Sequence, residues 1–172
     1  SAAHCLEEDG LSASDWTFDL TDSGGGIHIG AEIFVHPDWT SSGGSLQAGA
    51  DIALLRLNTV ESSVTPTTLN SDTTEVGRTA THVGYGRTGT GLTGMVNPSG
   101  TKRAGNNVVD LDGSSVTDFN DKVLFEDFDS PAGTDNVIGS ATALNLEYLI
   151  ASGDSGGGMF MDFGAGDVLA GV

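Results

Sequence analysis

Ser155 stands in the run Gly153-Asp154-Ser155-Gly156-Gly157-Gly158, a turn with little side-chain bulk around a hydroxyl. A serine hydroxyl is a poor nucleophile until a base removes its proton, and imidazole is the usual base near neutral pH. His4, in Ser1-Ala2-Ala3-His4-Cys5, supplies an imidazole. Such a base needs an acceptor on its second ring nitrogen, which fixes the tautomer and stabilises the imidazolium. Asp51, followed by Ile52-Ala53-Leu54-Leu55-Arg56-Leu57, supplies a carboxylate. The three occur in the order His, Asp, Ser, 47 and then 104 residues apart, so they meet only through tertiary folding. Each run taken singly fits plain core packing or a glycine-rich turn. Their conjunction carries the signal.

The elements that must position them read mostly as strands. Ile27, Ile29, Ala31, Ile33 and Val35 alternate with His28, Gly30, Glu32 and Phe34, the period of a half-buried strand. His36-Pro37-Asp38-Trp39 reads as a turn, Gly43-Gly44-Ser45 as a loop, and Ile52 to Leu57 as an apolar strand. Residues 58–75, rich in Thr, Ser, Asn and Pro, suit an inter-domain linker. Strand texture resumes at Arg78–Gly86, a glycine-rich loop covers 86–107, and further strands are expected at 107–111, 122–128, 158–163 and 167–172. A turn or two of helix is expected around His4 to Glu8. Many short strands punctuated by glycine imply an all-β barrel or sandwich.

Composition sets the outer bounds. The chain has 172 residues, enough for a core, with 26 glycines, 37% hydrophobic and 17% charged residues. No run approaches the roughly 18 apolar residues of a membrane helix. The 24 acidic against 6 basic residues give a formal net charge of −18. That argues against nucleic acid and anionic membrane surfaces as partners, since both need cationic surface. The charge reads as a solubility surface. Cys5 is the one cysteine, so no disulfide forms within this chain, and with no second thiol a redox or metal role is not expected.

The runs around His4, Asp51 and Ser155 together resemble the chymotrypsin/trypsin family of serine endopeptidases. Phe34-Val35-His36-Pro37 and Val83-Gly84-Tyr85-Gly86-Arg87-Thr88 also resemble family strands at the expected places. The resemblance covers nearly the whole chain, thinly from 88 to 145. It implies two Greek-key β-barrels with the active site in the cleft between them: an N-terminal barrel at 1–62 carrying His4 and Asp51, a linker at 63–75, and a C-terminal barrel at 76–172 carrying Ser155. It implies catalysis by His4, Asp51 and Ser155, and an oxyanion hole from the Gly153 and Ser155 N–H groups, which a glycine-rich turn suits. It implies that Asp154 is a buried carboxylate, which in the family pairs with an amino terminus released by zymogen cleavage. By the same resemblance the chain is expected to be a fragment truncated at both ends, the partner of Cys5 lying upstream. The protein is expected to be monomeric and extracellular or periplasmic, to act on polypeptides, and to need no cofactor or metal.

The sequence departs from the family in places. Gly158 stands where proline is usual and Tyr85 where tryptophan is common. The base of the specificity pocket falls on Leu149, with Ile150 next to it, where a trypsin would carry aspartate. This leans towards cleavage at apolar or small residues, with Glu147 able to restore an acidic pocket if the loop is offset. His28, His36 and His82 read as packing or surface residues, Asp110-Leu111-Asp112-Gly113 and Asp118 as an acidic turn, and Glu7-Glu8-Asp9 as a solvated loop. Two further readings compete. A protease-like domain kept as a non-catalytic binding or adhesion module is one, although its triad would usually be broken. The other, an α/β-hydrolase, requires a histidine after the serine, and none follows Ser155.

Overall fold

Strands are the main regular structure of the chain, as the glycine-punctuated β-branched runs require, and helices are confined to single turns. A computed structural model describes residues 1–7 and 10–172. Glu8 and Asp9, expected in a loop after the first helix, lie outside the described residues. The fold class is the expected all-β one.

In the N-terminal part, β1 (Thr17–Asp19), β2 (Ile27–Val35) and β3 (Ala53–Leu57) form an antiparallel sheet in the order β1-β2-β3. The helix α1 (Ala3–Leu6) packs Ala3 and Leu6 into a cluster with Trp39, Ala50 and Ala53, joined by the inward side chains Ile33, Val35 and Leu55. Downstream, β4 (Thr79–Gly84), β7 (Arg103–Val108), β10 (Gly158–Asp162) and β11 (Asp167–Gly171) pair in the order β11-β10-β4-β7. Their core is Ala80, Val109, Met159 and Met161. Between them come a hairpin of β5 (Thr88–Thr90) with β6 (Gly94–Asn97) and the short pair β8 (Leu111–Asp112) with β9 (Leu124–Phe125). Residues 63–75 hold no strand, but Leu69 bridges Leu169 of β11, whose N–H donates to Thr68 O at 2.9 Å.

Three local expectations need correction. Residues 37–41 are not a bare turn but the helix α2 (Pro37–Ser41), with Pro37 in its first turn and His36 Nδ1 accepting from Asp38 N–H at 3.2 Å as a cap. The loop expected over 86–107 contains the β5–β6 hairpin; β6 is wholly exposed and β5 nearly so, which explains why no apolar alternation marked them. In β2, His28 and Gly30 are buried, while Ile27 and Ile29 are 62% and 45% exposed. The cause is a bulge: Gly30 pairs with Leu57 but Glu32 with Arg56, so Ala31 is an extra residue. Beyond it the parity flips, and Ile33 and Val35 face the core.

Candidate active site

Burial of Ala3 and Leu6 fixes the rotation of α1 and leaves His4 on its open side, 45% of its side chain exposed. Asp51, just before β3, is 17% exposed and grips His4 at two points. Its Oδ1 accepts the His4 backbone N–H at 2.9 Å, and its Oδ2 lies 2.6 Å from His4 Nδ1. A carboxylate is acceptor-only when ionised, so the proton of a neutral ring sits on Nδ1, and Nε2 keeps its lone pair. That is the state a base requires.

The Nε2 side faces the turn that carries Ser155. Cys5 Sγ lies 3.5 Å from His4 Nε2 and 3.6 Å from the Ser155 carbonyl oxygen, so the sulfur spans from helix to turn. Among the described residues, Ser155 Oγ makes no hydrogen bond to His4. Nucleophile–base hydrogen bonds are often long in the absence of substrate and tighten when it binds.

Left-handed glycines shape the turn, Gly153 at φ 95° and Gly156 at φ 77°. It is closed by Asp154 N–H to Ala151 O at 2.9 Å and Gly157 N–H to Asp154 O at 2.8 Å. Among the described residues the N–H groups of Gly153 and Ser155 donate to no protein acceptor. They stand two residues apart on either side of Asp154, in the arrangement that can stabilise a developing oxyanion.

Asp154 itself points the other way, inward. Its Oδ1 accepts Gly86 N–H at 2.6 Å and its Oδ2 accepts Ala151 N–H at 3.0 Å. Burial first, then the neighbouring Asp154 carboxylate, push the Tyr148 phenol well above its ordinary range. The approach is so close that a Cβ on Gly84 or Gly86 would stand 2.0 or 2.4 Å from the Asp154 side chain. The partners of this aspartate are thus internal. Sequence reasoning missed them, although the Gly84-Tyr85-Gly86 spacing was a signal for close approach.

The residues expected near a specificity pocket are Leu149 and Ile150, 41% and 69% exposed just ahead of the turn. Glu147 does not join them: its oxygens accept Leu144 N–H at 2.5 Å and Asp129 N–H at 3.4 Å, facing the 129–144 loop. On the other flank of His4, a cavity of about 390 Å³ is lined by His4, Glu7, Trp39, Thr40, Gly43 and Gly44. Trp39 Nε1 donates to Glu7 Oε2 at 2.6 Å across it.

Two more histidines pair with carboxylates, away from the turn. His28 places Nδ1 2.8 Å from Thr59 Oγ1 and Nε2 3.1 Å from Glu61 Oε2. Glu61 is held far below the usual carboxylate range, first by the Ser63 hydroxyl, then by the Ser63 and Gly26 N–H groups and by His28. His82 lies 2.8 Å from Glu126 Oε2, both side chains less than a tenth exposed, and its ring stacks on Tyr148. Elsewhere, Asp127 and Asp129 each bury an Oδ1 without a hydrogen-bond partner among the described residues. Burial, then the charges of Asp127 and Asp110, push Asp129 above the usual range. Asp110 and Asp112, in the expected acidic turn, accept Ser140 and Ser114 N–H. Among the described residues, no three His, Cys, Asp or Glu side chains are placed to hold a metal, and no helix is long and apolar enough to cross a membrane.

A search among curated proteins finds no match to the chain. The family model described as Trypsin, in contrast, matches residues 1–172 from end to end. The chain therefore belongs to the chymotrypsin/trypsin-like family of serine proteases.

Proposed function

We propose that the protein is a serine endopeptidase in which Ser155 is the nucleophile, His4 the general base and acid, and Asp51 the orienter. The observation that carries this reading is the two-point grip of Asp51 on His4, 2.9 Å to the backbone and 2.6 Å to Nδ1, which turns Nε2 towards the Ser155 turn. Ser155 Oγ attacks a peptide carbonyl as His4 Nε2 takes its proton, and the new oxyanion is met by the Gly153 and Ser155 N–H groups. The C–N bond then breaks, and His4 hands the proton to the leaving amine. Water, deprotonated by the same ring, hydrolyses the acyl-enzyme and restores Ser155.

His4 and Asp51 come from the part at 1–62 and Ser155 from the part at 76–172, so substrate lies across the junction. Leu149 and Ile150 offer apolar surface beside the turn, which favours apolar or small substrate side chains over basic ones. Membership of the family supports reading the protein as extracellular or periplasmic, monomeric and acting on polypeptides. The competing reading, a non-catalytic binding module, draws on the missing Ser155–His4 hydrogen bond. Fluorophosphonate labelling of the full-length protein decides between them. Labelling is expected in the wild type and lost in Ser155→Ala and His4→Ala, whereas a folded wild type that takes no label leaves the binding module.

A further inference from the structure

Glu7 stands three residues after His4, a spacing that puts both side chains on one face of the same helical turn. Glu7 N–H donates to Ala3 O at 3.0 Å and closes α1, so its carboxylate is carried on the element that carries the base. Trp39 meets it from α2. The indole is buried in one cluster with Ala3, Leu6, Ala50 and Ala53, and its polar atom, Nε1, donates to Glu7 Oε2 at 2.6 Å. Among the described residues, Oε1 of Glu7 accepts no hydrogen bond.

Beyond the indole the chain turns back on itself. Gly43 and Gly44, left-handed at φ 68° and 80°, donate their N–H groups to Thr40 O at 3.2 Å and Trp39 O at 3.0 Å. Gly44 lies against the ring, where an added Cβ would come within 3.4 Å of it, while a Cβ at Gly43 would meet nothing within 4 Å. Two glycines thus put no side chain into the cavity of about 390 Å³ between His4, Glu7 and Trp39, and it stays open beside the base. The one fixed charge among its described lining residues is that of Glu7. An indole N–H needs only a neutral acceptor, so the carboxylate brings a charge and a second oxygen that the packing does not use. A carboxylate beside an aromatic wall suits lysine or arginine, whose head meets the charge while the stem lies along the ring.

We propose that Glu7 is a specificity-determining residue: with Trp39 it makes the space beside His4 a site for a positively charged side chain of the polypeptide substrate. That side chain is a different one from the side chain that meets Leu149 and Ile150. The proposal rests on the reading of Ser155, His4 and Asp51 as the catalytic triad.

The test uses the full-length protein and peptides in which lysine, or norleucine as its uncharged counterpart, is walked through the positions flanking one scissile bond. At one position lysine is expected to raise kcat/KM roughly three- to tenfold over norleucine, the scale of a charge-assisted contact at a partly open site. The gap should narrow in about 1 M salt. In Glu7→Gln, which keeps an acceptor for the Trp39 N–H, the lysine-to-norleucine ratio should fall towards one. A wild type that favours lysine at no position overturns the proposal, as does a preference that survives Glu7→Gln. A second measurement needs no turnover: in Ser155→Ala, the assigned Trp39 indole N–H resonance should shift on titration with the lysine peptide and much less with the norleucine peptide. Equal shifts, or none, also overturn it. A wild type that neither cleaves nor labels sinks the triad reading instead, and the resonance titration still judges the site beside His4.

Discussion

His4–Asp51 and His82–Glu126 are built from the same two functional groups at nearly the same distance, 2.6 and 2.8 Å, yet their settings are opposite. The first sits at the edge of a one-turn helix with nearly half of the histidine side chain in solvent. Its carboxylate also binds the backbone, so the ring is oriented while its far nitrogen stays accessible. The second lies between β4 and the segment after β9, with its histidine face covered by Tyr148. That ring is sealed between its carboxylate and the tyrosine, with less than a tenth of its side chain exposed. The chemistry of a histidine–carboxylate pair is thus decided by what covers it. His28–Glu61 belongs with the sealed pair, since Thr59 and Glu61 occupy both of its ring nitrogens.

The sharpest way to break this comparison is to remove each carboxylate in turn. Asp51→Asn is expected to lower turnover by roughly 10⁴ with folding intact, the effect known for the equivalent change in related triads. A loss of only a few-fold, measured by steady-state kinetics, would mean that another carboxylate orients His4. Glu126→Ala should do the reverse, costing stability first. Leaving one partner of a buried pair alone costs about 3 kcal/mol. For a chain of this size that is roughly 6–12 °C in Tm, read by thermal denaturation. Equal Tm losses in Glu126→Ala and Asp51→Ala would erase the distinction between the sealed pair and the open one.

Two smaller effects sharpen it. Asp129 is a buried carboxylate without a histidine. Because its folded pKa is raised, its ionisation weakens the fold as pH climbs from the unfolded value towards the folded one, and the penalty persists at neutral pH. Asp129→Asn should therefore raise Tm at pH 7 by a few degrees, the gain vanishing below about pH 3.5. Glu61 is the converse case. Its folded pKa is depressed, so its contribution is present above the unfolded value and fades as pH falls. Glu61→Gln should lower Tm slightly at pH 7, and denaturation curves of variant and wild type should converge in strong acid.

How much of this was legible in the sequence depended on how local the chemistry was. His4, Asp51 and Ser155 each carry their own flanking residues, and the order of the three runs suffices to group them. The all-β class followed from glycine and strand texture. The His82–Glu126 pair was not legible: Glu126 is 44 residues from His82, and no spacing rule links a histidine on one strand to a glutamate after another. Asp154 was singled out, but its partners depend on the close approach of Gly84 and Gly86, which a sequence expresses only as two glycines. In β2 the alternation marked the strand and misassigned half of its faces, because a bulge adds a residue without changing composition.

That bulge bears on how relatives of this chain will align. Ala31 is exposed and has no partner residue on β3, while His28 and Gly30 before it and Ile33 and Val35 after it face inward. Taking Ala31 out would leave those four inward residues at regular two-residue intervals, with every pairing to β3 preserved. A homologue one residue shorter here can therefore keep the same core, and a gap at this position in an alignment marks a straightened strand, not a lost one.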